Sequence, residues 1–190
     1  DIARHVPKGG GRVLELGSGA GFLRQHIPEV ISSEVFHCSH VDVLLDARRL
    51  PFSRGSLRAF VMTDVLHHIP DVGRFLVEAA AAVRDGGAIV MIEPWVSAWS
   101  RFVYRHLHHE PFVPDASDWT FAESGPVSGA NGALPWIVFE RDRATFSREF
   151  SQWRIDSIRP TMPFRYLLSG GVSLRSLMPG WTFGAWRVIE

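Results

Sequence analysis

Apolar residues fall in short dense runs, separated by glycine, proline and charge, and the period of each run predicts an element. Val13-Leu14-Glu15-Leu16 reads as a buried strand, and Ala20 to Ile27 as a helix stopped at Pro28. Val30-Ile31-Ser32-Ser33, Val41 to Leu45 and Ala59 to Thr63 read as three more strands. Next comes the clearest helix: Asp71 suits an N-cap, and Val72, Phe75, Leu76, Ala79, Ala80 and Val83 recur at helical spacing until Asp85-Gly86-Gly87. Ala88-Ile89-Val90-Met91-Ile92 makes a fifth strand of apolar residues.

Strands without alternation, interleaved with helices, imply a mainly parallel sheet covered on both faces, a doubly wound α/β fold. After Pro94 the pattern changes. Trp95, Trp99, Phe102, Val103 and Leu107 mark an amphipathic helix, and residues 110–135 are rich in Pro, Gly, Ser and Asp, as in an aromatic-rich insertion or lid. A helix over about 143–150, a strand over about 153–159 and further helical segments punctuated by Gly170-Gly171 and Pro179-Gly180 complete the reading. The expected organisation is a single domain over 1–190, with a cofactor-binding core in 1–94, the insertion in 95–142 and the rest of the fold in 143–190.

Composition narrows the function classes. At 46% hydrophobic, with 20 basic and 20 acidic side chains in 190 residues, the chain has the content of an ordinary globular domain. A neutral balance argues against electrostatic binding of nucleic acid. One cysteine, Cys38, can form neither an internal disulfide nor a zinc cage, and a cytoplasmic setting is the expectation. No apolar run approaches the ~18 residues of a membrane span. The chain begins at Asp1 without Met, as a processed or truncated piece would.

Between the first strand and the predicted first helix lies Leu16-Gly17-Ser18-Gly19-Ala20-Gly21-Phe22, where an open parallel sheet presents its ligand crevice. The dinucleotide fingerprint G-x-G-x-x-G would need glycine at Phe22, and a phosphate loop would need a lysine that is absent here, so both phosphate readings weaken. Glu15-Leu16-Gly17-Ser18-Gly19-Ala20-Gly21 instead resembles the E/D-x-G-x-G-x-G motif of class I S-adenosylmethionine-dependent methyltransferases. Three more segments are similar to motifs of that family: Asp46-Ala47-Arg48-Arg49-Leu50-Pro51-Phe52, Asp64 to Asp71, and Arg84-Asp85-Gly86-Gly87-Ala88. Together they run in family order over about residues 11 to 95.

The resemblance implies a Rossmann-like methyltransferase fold and S-adenosylmethionine as cofactor. It implies a binding set of Glu15, Gly17, Ser18, Gly19, Gly21, Glu34, Asp46, Ala47 and Asp64, with Glu34 accepting from the ribose hydroxyls and Asp46 from the adenine amino group. A cofactor with a sulfonium and an adenosine but no phosphate needs spaced acceptors, and acids at strand ends supply them. Only eleven residues separate Glu34 from Asp46, too few for a crossover helix plus a strand, so Val35 to His40 is expected to be a loop. The family's seventh, antiparallel strand is expected to lie beyond Glu190 or to be missing.

On the acceptor side, His67, His68, Asp64 and Glu93 follow the fourth and fifth strands, and His67 with Glu93 are the candidate catalytic residues should a hydroxyl have to lose its proton. His106, His108, His109 and Glu110 invite a metal reading, but Pro111 ends their helix and no third ligand is evident, so no metal is expected. Trp95, Trp99, Tyr104, Trp119, Phe121, Trp136 and Phe139 suit either a lid over a flat acceptor or ordinary core. Arg101 and Arg105 flank an apolar stripe, which would also suit peripheral membrane contact through the 95–107 helix. The expected activity is methylation of a small, apolar or aromatic molecule, the N-P-P-[YF] pattern being absent. The alternatives are a non-catalytic cofactor- or partner-binding module and an NAD-dependent oxidoreductase.

Overall fold

A computed structural model describes residues 2–39, 41–123, 125, 129–161, 180–182 and 184. Five strands pair in the order β3-β2-β1-β4-β5, all parallel: β1 (Arg12–Leu16), β2 (Val30–Glu34), β3 (Val43–Leu44), β4 (Leu57–Thr63) and β5 (Val83–Ile92). The chain winds outward from β1 in one direction, then returns to β4 on its other side. That reversal opens a crevice at the carboxyl ends of β1 and β4, where ligands of such sheets bind.

The two faces are covered unequally. On one, α1 (Val72–Ala82) lays Phe75, Leu76 and Ala79 against Leu14, Phe60 and Met62, with the Phe60 and Phe75 rings edge to face at 5.9 Å. The last described elements join the same core: α3 (Leu134–Trp136), a π-turn over Ile137–Arg141 closed by Asp142 N donating to Ile137 O, and α4 (Arg143–Glu149). On the other face Val13, Ile27, Val30, Ala59 and Val61 meet, among the described residues, Ile2, Ala3, Val6 and Leu23. Between β5 and α3 lies α2 (Ala98–His106), capped reciprocally by Ser97 and Ser100.

Several expectations are corrected. The helix expected over 20–27 is a single 3-10 turn, Phe22–Gln25, with Phe22 exposed. Left-handed backbone at Gly17, Gly19 and Gly21 uses up the chain before Pro28 can follow. The α1 helix ends at Ala82, not at Gly86-Gly87, because Val83 already pairs with Leu57 and Gly86, at φ 72°, takes up a bulge before Ala88 meets Ala59. The amphipathic helix starts at Ala98, not Trp95. The segment expected to be a strand over 153–159 pairs with no strand among the described residues, and its Trp153 donates from Nε1 to Leu76 O. Val35 to Ser39 forms no helix, and the Asp42 carboxylate secures that connection by accepting from Ser32 N and Oγ and from Arg24. The punctuation at Gly170-Gly171 and Pro179, and the end of the chain at Arg187–Glu190, lie outside the described residues.

Candidate active site

The glycine loop is shaped by positive φ at Gly17 (65°), Gly19 (49°) and Gly21 (72°), which side chains other than glycine resist. Ser18 locks it to β2: its amide donates to Ser33 O, its hydroxyl accepts from Ser33 N, and Ser33 Oγ donates to Glu15 O. A Cβ at Gly17 would lie 2.5 Å from Val65 Cγ2, whereas at Gly19 or Gly21 it would meet nothing within 4 Å. The loop is therefore tight on its inner side and open above.

Three acids stand at successive strand ends around it. Glu15, on β1, is half-buried and its Oε2 has no hydrogen-bond partner. Burial, with Glu34 nearby, raises its pKa against the partial relief of Ser18 and Arg24. Glu34 closes β2, and its Oε1 accepts from Gly19 N at 2.7 Å, so it braces the loop from the rim. Asp46 follows β3. Arg48 clamps both its oxygens, from Nε at 3.0 and 3.1 Å and from Nη2 at 2.7 Å, and holds its carboxyl below the usual aspartate range. Arg48 reaches on to Glu123 at 2.6 Å, and Ala47 beside Asp46 is buried. A partnerless buried acceptor, open space over the loop and spaced carboxylates fit a nucleoside carrying a cation.

Across the crevice, Asp64 leaves β4 at φ 54°, a strained conformation for a non-glycine residue, with its amide donating to Ile92 O. Burial, reinforced by Glu93, pushes its pKa up to about 6. Glu93, at the end of β5, accepts through Oε1 from Val65 N (2.9 Å) and Leu66 N (2.7 Å), and its Oε2 lies 2.8 Å from His67 Nδ1. His67 is 2% exposed. Burial works against its charged form, but Glu110 and Glu93 outweigh that and lift its pKa to about 9. His68 leans on the His67 ring at 4.2 Å, with Nδ1 3.2 Å from Gly129 O, and burial together with His67 lowers its pKa.

Sequence reasoning grouped Glu110 with His106, His108 and His109 and missed its place in this cluster. Glu110 arrives from the segment after α2, 3.6 Å from His67 Nε2 and 3.7 Å from His68 Nε2, and His67 holds its pKa down. Its amide donates to His108 Nδ1. A resemblance between His67-His68 and a helix-end acid forty residues on leaves no periodic trace; only the fold brings them together. The aromatic residues divide. Trp119, Phe121, Trp136 and Phe139 pack on the main core, Trp119 also donating to Asp142 Oδ2 at 2.9 Å. Trp99 and Phe102 stack on each other at 5.9 Å along an exposed face of α2. An open cleft of about 530 Å³ between Trp95, Trp136 and Ile155–Pro160 shares no lining residue with the glycine loop or the His67 group.

A parallel sheet with order 3-2-1-4-5, a glycine loop after its first strand and acids at its strand ends define a Rossmann-like, nucleoside-binding fold. Residues 37–91 match the family model described as a methyltransferase domain. That match covers under a third of the chain, and with the fold and the motif order it agrees with the resemblance to class I S-adenosylmethionine-dependent methyltransferases. No curated protein matches. Among solved structures, a Bacillus halodurans protein described provisionally as a methyltransferase is 17% identical with TM-score 0.50, covering 79% of this chain and 65% of its own. An S-adenosylmethionine-dependent methyltransferase from Thermotoga maritima is 22% identical with TM-score 0.46, covering 55% and 54%. The first of these likenesses bears on the fold alone, and the chain spans about half to two thirds of the structures' lengths.

Proposed function

We propose that the chain binds S-adenosylmethionine at the β1–β3 rim and moves its methyl group to a small, apolar or aromatic acceptor. The observation that carries this reading is the Glu15, Glu34 and Asp46 series around an open glycine loop beside the switch point. Gly17, Ser18, Gly19 and Gly21 would form the floor. Glu34 would exchange its bond with Gly19 N for ribose hydroxyls, and Asp46, above Ala47, would share an oxygen between Arg48 and the adenine amino group. Glu15 and Asp64 would face the charged end of the cofactor, where unsatisfied carboxylates favour a cation. When bound, the cofactor supplies an electrophilic methyl group, and holding it in line with the acceptor is most of the catalysis.

His67 and Glu93 are the pair assigned to the acceptor's proton. With a pKa near 9 the imidazole is charged at neutral pH, so it donates a hydrogen bond to the acceptor, or takes up a proton only after passing its own to Glu110. Among the described residues no helix is long and apolar enough to cross a membrane. The exposed Trp99, Phe102 and Leu107 beside Arg101 and Arg105 keep the proposal of peripheral contact through α2.

Calorimetric titration with S-adenosylmethionine, its demethylated product and NAD tests the reading. Tight binding of the first two and not of NAD is expected, weakened about 10-fold or more in Asp46→Ala and Glu34→Ala, as for the loss of a charge-assisted hydrogen bond worth roughly 1.5–3 kcal/mol. Equal affinity for all three ligands, or variants that bind like the parent, would reject it.

A further inference from the structure

Three carboxylates, Asp64, Glu93 and Glu110, converge on the His67–His68 pair in a largely buried space, more negative charge than one imidazolium can balance. The geometry of the two rings says what would balance it. Glu93 Oε2 lies 2.8 Å from His67 Nδ1 and the carbonyl of Gly129 lies 3.2 Å from His68 Nδ1. A carboxylate and a carbonyl can only accept, so each Nδ1 carries its proton, and the Nε2 atoms face Glu110; an ion that displaces the second proton of His67 would meet a lone pair on each. The same carboxylate–histidine and carbonyl–histidine supports fix the tautomer of imidazoles that ligate metals.

The separations agree. Glu110 oxygens stand 3.6 Å from His67 Nε2 and 3.7 Å from His68 Nε2, beyond hydrogen-bond range, and one donor atom from each residue falls within 4.8 Å of the others. A divalent ion about 2.0–2.1 Å from each ligand spaces tetrahedral donors about 3.3 Å apart, so a small inward shift would close the set. We propose that His67 Nε2, His68 Nε2 and the Glu110 carboxylate form a three-ligand site for a divalent first-row transition ion, zinc foremost, with one coordination position open. Two nitrogens and one carboxylate suit such an ion better than magnesium, which prefers oxygen alone. His108 anchors the Glu110 amide instead of ligating.

The site goes beyond methyl transfer. In the metal-bound state His67 would be a ligand and not a proton carrier, and the open position would be free to take an acceptor oxygen if the methyl-transfer reading holds. Ion binding itself needs no cofactor, so the two readings fail separately.

The test is titration of the chelator-treated chain with Zn2+ alone, followed by calorimetry, with Mg2+ in parallel. One equivalent of Zn2+ should bind and Mg2+ should not compete. Glu110→Gln and His68→Ala should each lose about 100-fold in Zn2+ affinity, and Glu93→Gln about 10-fold, as for a supporting residue. Glu110 is partly exposed, so E110Q should keep the parent circular dichroism, which separates loss of the site from loss of fold. Co2+ should give visible bands of a tetrahedral nitrogen and oxygen set that vanish in E110Q. His106→Ala and His109→Ala should bind as the parent does. No stoichiometric Zn2+, binding unchanged in E110Q and H68A, or binding abolished only by the His106 and His109 variants would overturn the proposal.

Discussion

At Gly17 two constraints meet, a φ of 65° and Val65 Cγ2 standing 2.5 Å from where a Cβ would be. Gly17→Ala should cost about 2 kcal/mol or more in urea denaturation. In a Val65→Ala background that cost should shrink towards the ~1–2 kcal/mol of the left-handed backbone alone; an unchanged cost would mean the contact does not matter. Glu15 behaves in the opposite sense. Its carboxylate is disfavoured by folding, so its folded pKa lies above the ordinary 4.5 and its charge opposes stability as pH rises through that raised value. Glu15→Gln should therefore raise stability at pH 7, by no more than about 1 kcal/mol given its partial exposure and seen as a higher melting temperature, and the gain should fade below pH 4.5. Differential scanning fluorimetry at two pH values reads it. The same substitution should weaken S-adenosylmethionine, since the strain is kept where the proposed cation binds.

The α1 helix was the most legible element, and its start depends on one side chain: the Asp71 carboxylate accepts from Arg74 N at 2.8 Å. Asp71→Ala should cost about 1 kcal/mol, read as a shift in the urea midpoint without change in slope. Helical period carried that reading, because Val72, Phe75, Leu76 and Ala79 all face the sheet. β4 was equally plain as a buried run from Ala59 to Met62, while β1 and β2 showed in the short pairs Val13-Leu14 and Val30-Ile31. Where the pattern misled, a tertiary fact had overridden local propensity. Ala20 to Ile27 has helix-forming residues, yet the loop's backbone turns consume it. Trp153 to Arg159 alternates as a strand would, yet Trp153 and Ile155 are drawn onto the core one side chain at a time. Leu134 to Glu149 is almost wholly helical, yet the pattern predicts a helix only from about 143, because Pro135 and the glycines before it look like punctuation, whereas Pro135 sits in the first turn of α3, where a missing N–H costs nothing.

For the molecule as a whole, the site divides into a half that sequence displays and a half it hides. Glycine loop and rim acids are local in sequence, each within a few residues of a strand end, and so could be read. His67 and Glu93 follow neighbouring strands and so could be placed together, whereas Glu110 reaches them from the segment after α2, and no spacing encodes that. The charge balance also has a global signature. Asp42, held low chiefly by the Ser32 amide, Asp46 by Arg48 and Asp142 by Arg141 all have folded pKa values below their unfolded ones, so their stabilisation is present above about pH 4 and is lost as pH falls through the lowered values. Asp64, at about 6, runs the other way and is relieved as pH falls through 6. The melting temperature should thus hold level or rise slightly from pH 6 to about 5 and drop steeply below 4; a continuous fall from pH 6 would contradict these assignments. Glu93 has one more effect. By taking the amide protons of Val65 and Leu66 into a nearly dry carboxylate, it staples a loop to the neighbouring strand tip. In deuterated water those two amides should then swap their hydrogens as slowly as the sheet interior, and the mouth of the crevice on that side should behave as stiff masonry.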